Sequence, residues 1–137
     1  MNRIKYDSDL IKLMTIFESI SGAKVKDCIA DDKVIFIIEE NDMGKAIGRN
    51  GINIKKMENA TKKKIKLVEF SQDPVQFIRN FIYPMQALQI NNEEGIITIH
   101  GKDSNSKAII IGRERQNLNQ MLEIAKRYFD LKEIKVI

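Results

Sequence analysis

Ile47-Gly48-Arg49 and Ile111-Gly112-Arg113 stand 64 residues apart, and the same offset carries Asn53 onto Asn117, Ile54 onto Leu118 and Met57 onto Met121. A repeat at fixed period constrains a fold more than any single motif, because each copy has to build the same supersecondary unit. The chain has 137 residues, so each copy is about 65 residues long, a size at which burial is marginal. The two copies are therefore expected to pack against each other. The connecting segment "VEFSQD" contains no glycine, which favours a stiff pair.

Apolar spacing supplies the element order. Leu10, Leu13, Met14, Phe17 and Ile20 recur at helical intervals; Asp7 or Ser8 can cap the start, and Gly22 suits the position past the end. "AKVKDCIADDKVIFIIEEND" reads as two strands, 24–30 and 33–39, turning at Asp31 and Asp32. After the glycines, Ile54, Met57 and Ala60 mark a short helix, and "KKKIKLVEF" reads as a strand. The series then restarts. Asp73 is a capping residue followed by Pro74 at the first helical position. Val75, Ile78, Phe81 and Ile82 form that helix's apolar face, and Pro84 stops it. "MQALQIN" and "GIITIHG" pair around the turn "NNEEG". A helical stretch follows with Leu118, Met121, Leu122, Ala125, Tyr128 and Phe129 on one face, and "EIKVI" is the last strand. The aromatic residues Phe70, Phe77, Phe81 and Phe129 lie on apolar faces and are assigned to the core.

The formal net charge of +4 conceals an asymmetry. Residues 1–43 carry six basic and nine acidic side chains, and residues 69–137 carry nine of each. Residues 44–68 hold Lys45, Arg49, Lys55, Lys56, Lys62, Lys63, Lys64 and Lys66 against Glu58 alone, a balance of +7. A basic block centred on a glycine-rich break fits a polyanionic partner better than a merely solvated face.

Several function classes are excluded by what is missing. Cys28 is the single cysteine and His100 the single histidine, so neither a disulfide framework nor a Cys/His metal site can be assembled. Cys28 is read as a small strand residue. No G-x-x-x-x-G-K-[ST] occurs, and no run of 18 apolar residues or signal-peptide pattern is present. A cytoplasmic protein without metal or cofactor, without catalytic residues and without a membrane span is expected.

The stretch "DMGKAIGRNGINIKKM" places Gly44, Gly48 and Gly51 in otherwise helix-forming sequence. Glycine costs about 1 kcal/mol in a helix interior relative to alanine, so this spacing predicts a break. In isolation, Gly48 could simply end one helix and Gly51 begin another. Beside the basic block a second role follows. Glycines at both ends let a sugar–phosphate chain approach the backbone, and the N–H groups that open the next helix attract phosphate. Arg49 stands at the tip as a cation, Lys45, Lys55 and Lys56 flank it, and Asn50 can donate to phosphate or accept from a ribose hydroxyl.

Two helices around I-G-R-N-G on a three-stranded sheet resemble the K homology (KH) domain of RNA-binding proteins, whose signature G-x-x-G is Gly48-Arg49-Asn50-Gly51 here. The resemblance implies that the loop clamps about four nucleotides of a single strand, through Lys45, Ile47, Gly48, Arg49, Asn50, Gly51, Lys55 and Lys56, and, since KH grooves hold bases largely by aliphatic contacts, that Ile47, Ile52 and Ile65 are the groove candidates. Each copy begins helix–strand and ends on a strand, as in the type II arrangement. The fold class that follows is α+β, two tandem type II KH domains, each a three-stranded sheet packed by three helices. Residues 1–71 form the first domain and 72–137 the second. Two such domains in tandem resemble the archaeal NusA-like family of transcription factors. That resemblance implies a monomer that binds nascent single-stranded RNA in transcription elongation, termination and antitermination, with RNA polymerase open as a second partner. The bacterial relatives also carry a polymerase-binding domain and an S1 domain, for which 137 residues leave no room. A KH protein attached to ribosomal or other structured RNA is the nearer alternative.

The second copy departs from the pattern. Its loop is Gly112-Arg113-Glu114-Arg115, with arginine in place of the second glycine and a carboxylate at the tip. Either it is a reduced loop that supports the first copy, or it makes a differently shaped contact through Arg113 and Arg115. A supporting surface that still touches RNA is the preferred expectation. The rival from another class is a dinucleotide-binding enzyme fragment, since Ala46-x-Gly48-x-x-Gly51 is one residue from G-x-G-x-x-G and Glu69 could serve a ribose. Arg115, standing where a close-approach glycine would be required, argues against it.

Overall fold

The computed structural model describes residues 8–137; Asp7, one of the two candidate caps, lies outside them. The described chain divides between Phe70 and Ser71 into two compact units with the same element order. The first contains α1 (Ser8–Ser21), β1 (Val25–Ala30), β2 (Lys33–Ile38), α2 (Met43–Ile47), α3 (Ile52–Thr61) and β3 (Lys64–Glu69). The second contains α4 (Pro74–Ile82), β4 (Ala87–Glu93), β5 (Ile96–Gly101), α5 (Ser104–Ile111), α6 (Gln116–Tyr128) and β6 (Glu133–Val136). The architecture is α+β, with one three-stranded sheet and three helices in each unit.

In each sheet the middle strand pairs antiparallel with the strand before it and parallel with the strand that closes the unit: β1-β2-β3 and β4-β5-β6. A parallel pair needs a crossover, and the two-helix segment carrying the glycine loop supplies it. β2 is buried from Val34 through Ile38, which explains why "VIFII" is continuously apolar instead of alternating. Val34, Phe36 and Ile38 meet Phe17, Cys28, Ala46 and Met57 in the first unit's core. Phe17 and Phe36 stack with ring centroids 4.7 Å apart. Cys28 is fully buried among them, a small strand residue as its surroundings suggested. The end of α1 is tied to β1 by the Glu18 carboxylate, which accepts from the Val25 N–H at 2.8 Å. Gly22, at φ 75°, ends the helix as expected.

The start of α4 follows its sequence signal. The Asp73 carboxylate accepts from the Val75 N–H at 3.0 Å with Pro74 in the first turn. Its buried face is Phe77, Ile78, Phe81 and Ile82, with Val75 half-buried. Phe77 packs edge-on to Phe81 and also meets Phe129. On α6 the buried residues are Leu118, Gln120, Met121, Ile124 and Ala125, while Leu122, Tyr128 and Phe129 are half-buried. The hairpin between β4 and β5 is tighter than "NNEEG" suggested. Asn92 and Glu93 stay in the ladder, and Glu94 and Gly95 alone turn it, both at positive φ. Gly95 accepts from the Lys132 N–H at 2.7 Å and so seats the start of β6.

Candidate nucleic-acid interface

Gly44 lies inside α2 and ends nothing; the break begins at Gly48. The Gly48 N–H donates to the Gly44 carbonyl at 3.1 Å, and the backbone then leaves the helix at φ 74°, ψ 174°. That region is essentially glycine-only. Asn50 and Gly51 follow in left-handed conformation, at φ 56° and 70°, and the Gly51 N–H closes the turn onto the Gly48 carbonyl at 3.2 Å. α3 starts immediately, with Gly51 as a cap that has no side chain to satisfy the helix's opening N–H groups.

A second tie holds this turn from within. The Asn53 side-chain amide, buried at 7% exposure, donates to the Lys45 carbonyl at 2.9 Å. It joins the first turn of α3 to the last turn of α2, so the loop hangs between two helices locked together at its base. A Cβ on Gly48 would lie 2.6 Å from that amide nitrogen, whereas one on Gly51 would meet nothing within 4 Å. The two glycines therefore do different work: Gly48 makes room for the tie, and Gly51 supplies a conformation.

Around this frame the side chains expected to bind RNA come together at one end of the unit. Arg49 and Asn50 are exposed at the tip, Lys45 is exposed on α2, and Lys55 and Lys56 are exposed on α3. Ile47 and Ile52 flank the loop at 37% and 43% exposure, an unusual degree for isoleucine. Ile65 does not join them; it packs against the core.

The second loop repeats the geometry instead of replacing it. Gly112 has φ 79°, ψ 169°, Glu114 φ 54° and Arg115 φ 61°, against 74°, 174°, 56° and 70° in the first loop. Asn117 donates to the Ile109 carbonyl at 2.9 Å, and a Cβ on Gly112 would lie 2.7 Å from its amide. The backbone of the second loop thus has the same shape as that of the first. Arg115 adopts the left-handed conformation that glycine would have taken, and the open space beside Gly51 shows why the larger side chain fits. Arg113, Glu114 and Arg115 are all exposed. Asn53 and Asn117 were absent from the sequence-derived sites. Their signal was present, since both are carried by the 64-residue repeat, but polar identity alone did not reveal an inward role.

The dinucleotide alternative fails on geometry. α2 intervenes between β2 and the glycines, so no strand leads directly into the turn. The Glu69 carboxylate accepts from the Asn41 N–H at 3.0 Å, a structural task. Among the described residues no group of three or more His, Cys, Asp or Glu could hold a metal ion, and no helix is long and apolar enough to cross a membrane.

Residues 13–91 match the KH domain family model, from α1 through β4. A relative from Methanococcus vannielii is 34% identical over 98% of this chain and 80% of its own length. One from Methanocaldococcus jannaschii is 30% identical over the whole of this chain and 77% of its own. One from Halococcus morrhuae is 26% identical over 98% and 99%. All three are named probable transcription termination protein NusA. The crystal structure of APE1850 superposes with a TM-score of 0.75 at 25% identity, covering 96% of this chain and all of that one. The match takes in the whole Gly48–Gly51 turn and both helices that hold it, and on that ground the chain belongs to the KH domain family.

Proposed function

We propose that this protein binds single-stranded RNA and acts as a transcription termination and antitermination factor. The observation that carries the reading is the Gly48–Gly51 turn, which the Asn53–Lys45 tie braces from inside and Lys45, Arg49, Lys55 and Lys56 surround. Phosphates meet the backbone between the glycines and the opening N–H groups of α3, while Ile47 and Ile52 offer aliphatic contact to unpaired bases. Residues 1–71 and 72–137 act as two KH domains. The second supplies supporting phosphate contacts through Gly112, Arg113 and Arg115, with Glu114 weakening them. The shared name of the archaeal relatives supports the placement in transcription, with nascent RNA as ligand, RNA polymerase as a second partner and the cytoplasm as the site. The protein works as a monomer and catalyses no reaction.

A titration against single-stranded RNA, single-stranded DNA and duplex of equal length at two salt concentrations tests this. RNA single strands should bind best, with a log–log salt slope near about −3 if four phosphates are neutralised at about −0.7 each. Duplex binding equal to single-strand binding would leave only a sticky basic surface. Capture of polymerase rather than ribosomes would separate a role on transcripts from one on ribosomal RNA.

A further inference from the structure

The basic block continues past the cradle. Lys62, Lys63 and Lys64 follow α3 at its far end, about 15 Å from the loop at the helical rise of about 1.5 Å per residue, and all three are exposed. Lys62, at φ 61°, turns the chain sharply from α3 into β3. The Lys63 ammonium donates to the Asp31 carbonyl at 2.6 Å, which fixes its place and leaves its remaining donors for another acceptor.

Beside these lysines an open groove of about 330 Å³ runs along α1 to the end of α3. Its floor is apolar, with Leu13, Ile16 and Val34, and Lys12 and Lys63 stand on its rim together with Asp9. Ile16 is 42% exposed there. Lys33 lies opposite Lys64 at the same end of the β2–β3 ladder. At this end of the unit Lys12, Lys33, Lys62, Lys63 and Lys64 outnumber the carboxylates Asp9, Asp31, Asp32 and Glu58. An apolar floor bordered by cations suits a single-stranded nucleic acid, whose bases seek apolar faces while its phosphates seek ammonium groups. Continuity with the cradle along α3 favours that occupant over an acidic peptide.

We propose that this groove is a second nucleotide subsite: one RNA strand leaves the Gly48–Gly51 cradle, runs along α3, seats an unpaired base on Leu13 and Ile16, and places phosphates on Lys12, Lys62 and Lys63. The proposal rests on the RNA-binding reading above and adds that strands longer than the cradle holds gain affinity.

The test compares a 5-nucleotide and a 15-nucleotide oligoribonucleotide on the parent, on a K12Q/K62Q/K63Q variant and on Ile16→Ser, each checked for an unchanged melt. For the triple variant, affinity for the longer strand should drop about tenfold or more and its salt slope should shrink by about 2, three contacts at about 0.7 each. Affinity for the short strand should stay within about twofold. Ile16→Ser should weaken the longer strand alone, through loss of apolar contact and not of charge. An unchanged slope and affinity for the longer strand would overturn the subsite while leaving the cradle intact. Equal losses on both lengths would do the same, by showing only a general field effect. Parent protein that binds neither strand would overturn the RNA reading with it. Poly-glutamate competing as well as the longer RNA would replace the nucleotide occupant by an acidic protein surface.

Discussion

The side-chain amide of Asn53 stands where a Cβ on Gly48 would have to be: its nitrogen lies 2.6 Å from that position. The same amide holds the Lys45 carbonyl at 2.9 Å, so the glycine and the asparagine form one device. Asn117 and Gly112 repeat it in the second unit.

Gly48→Ala should therefore cost more than Gly51→Ala. The first substitution combines a backbone region closed to alanine with displacement of a buried amide, about 2–3 kcal/mol in all. The second meets open space and incurs the left-handed penalty of about 1–2 kcal/mol alone. Asn53→Ala should cost about 1 kcal/mol through the lost hydrogen bond. Urea denaturation of the three variants gives the ranking, and a Gly51 variant as unstable as the Gly48 one would refute the division of labour.

Arg115→Gly should stabilise the second unit. Arg115 is exposed and sits at φ 61°, so glycine relieves about 1–2 kcal/mol of strain. Greater freedom of the unfolded chain offsets about 0.4–1 kcal/mol of that gain. A net rise of up to about 1.6 kcal/mol in unfolding free energy is the expected result, and a clear loss of stability would show that the arginine side chain holds the turn.

Replacing Arg49 and Asn50 together by Asp should abolish RNA binding with little change in the melt. Both side chains are exposed at the tip, and exposed substitutions usually move stability by less than about 0.5 kcal/mol. Aspartate also tolerates the left-handed conformation that Asn50 adopts. Reversal of Arg113 and Arg115 to Glu should weaken binding less, because Glu114 already opposes phosphate there. Equal losses in a filter-binding or fluorescence assay would make the second loop a primary site.

Lys66→Met should stabilise the protein at pH 7, and the gain should fade in alkali. Burial and the Lys33 charge lower Lys66 to about 8, so the folded state binds fewer protons than the unfolded state between that value and 10.5. Stability of the parent consequently rises with pH across this window, as the buried charge is lost from the fold. Below about pH 8 the full penalty is present, on the order of 1 kcal/mol after allowance for partial exposure. Melts of parent and variant at pH 7 and 10.5 should converge at the higher pH; a constant difference would assign the effect to packing.

Much of this molecule was legible in one dimension because the relevant signals are local. Asp73 and Pro74 start α4 through bonds within two residues, Gly22 ends α1 within one turn, and the 64-residue repeat carries the element order from one unit to the other. The candidate cradle was found for the same reason, since Gly48, Arg49, Asn50 and Gly51 are consecutive. Where neighbouring apolar side chains compete for one face the reading slipped: Val75, expected on the buried face, is only half-buried, and Ile124 joined the face expected of Leu122. Small rotations of a helix against its sheet decide such exchanges, and those depend on packing partners distant in sequence.

What the tertiary structure alone decided are the relationships that need two segments to meet. Asn53 and Asn117 reach back eight residues to a carbonyl on another helix, and nothing in an asparagine's identity states that it points inward. The shape of the second loop depended on whether open space lay beside a left-handed residue; once it did, Arg115 could replace glycine at the cost of strain instead of a clash. Lys12 and Lys63 lie 51 positions apart in the chain and border one groove because α1 and the end of α3 converge over β2. Local free energies select helix, strand and turn, but which side chains share a site is settled by how those elements close-pack.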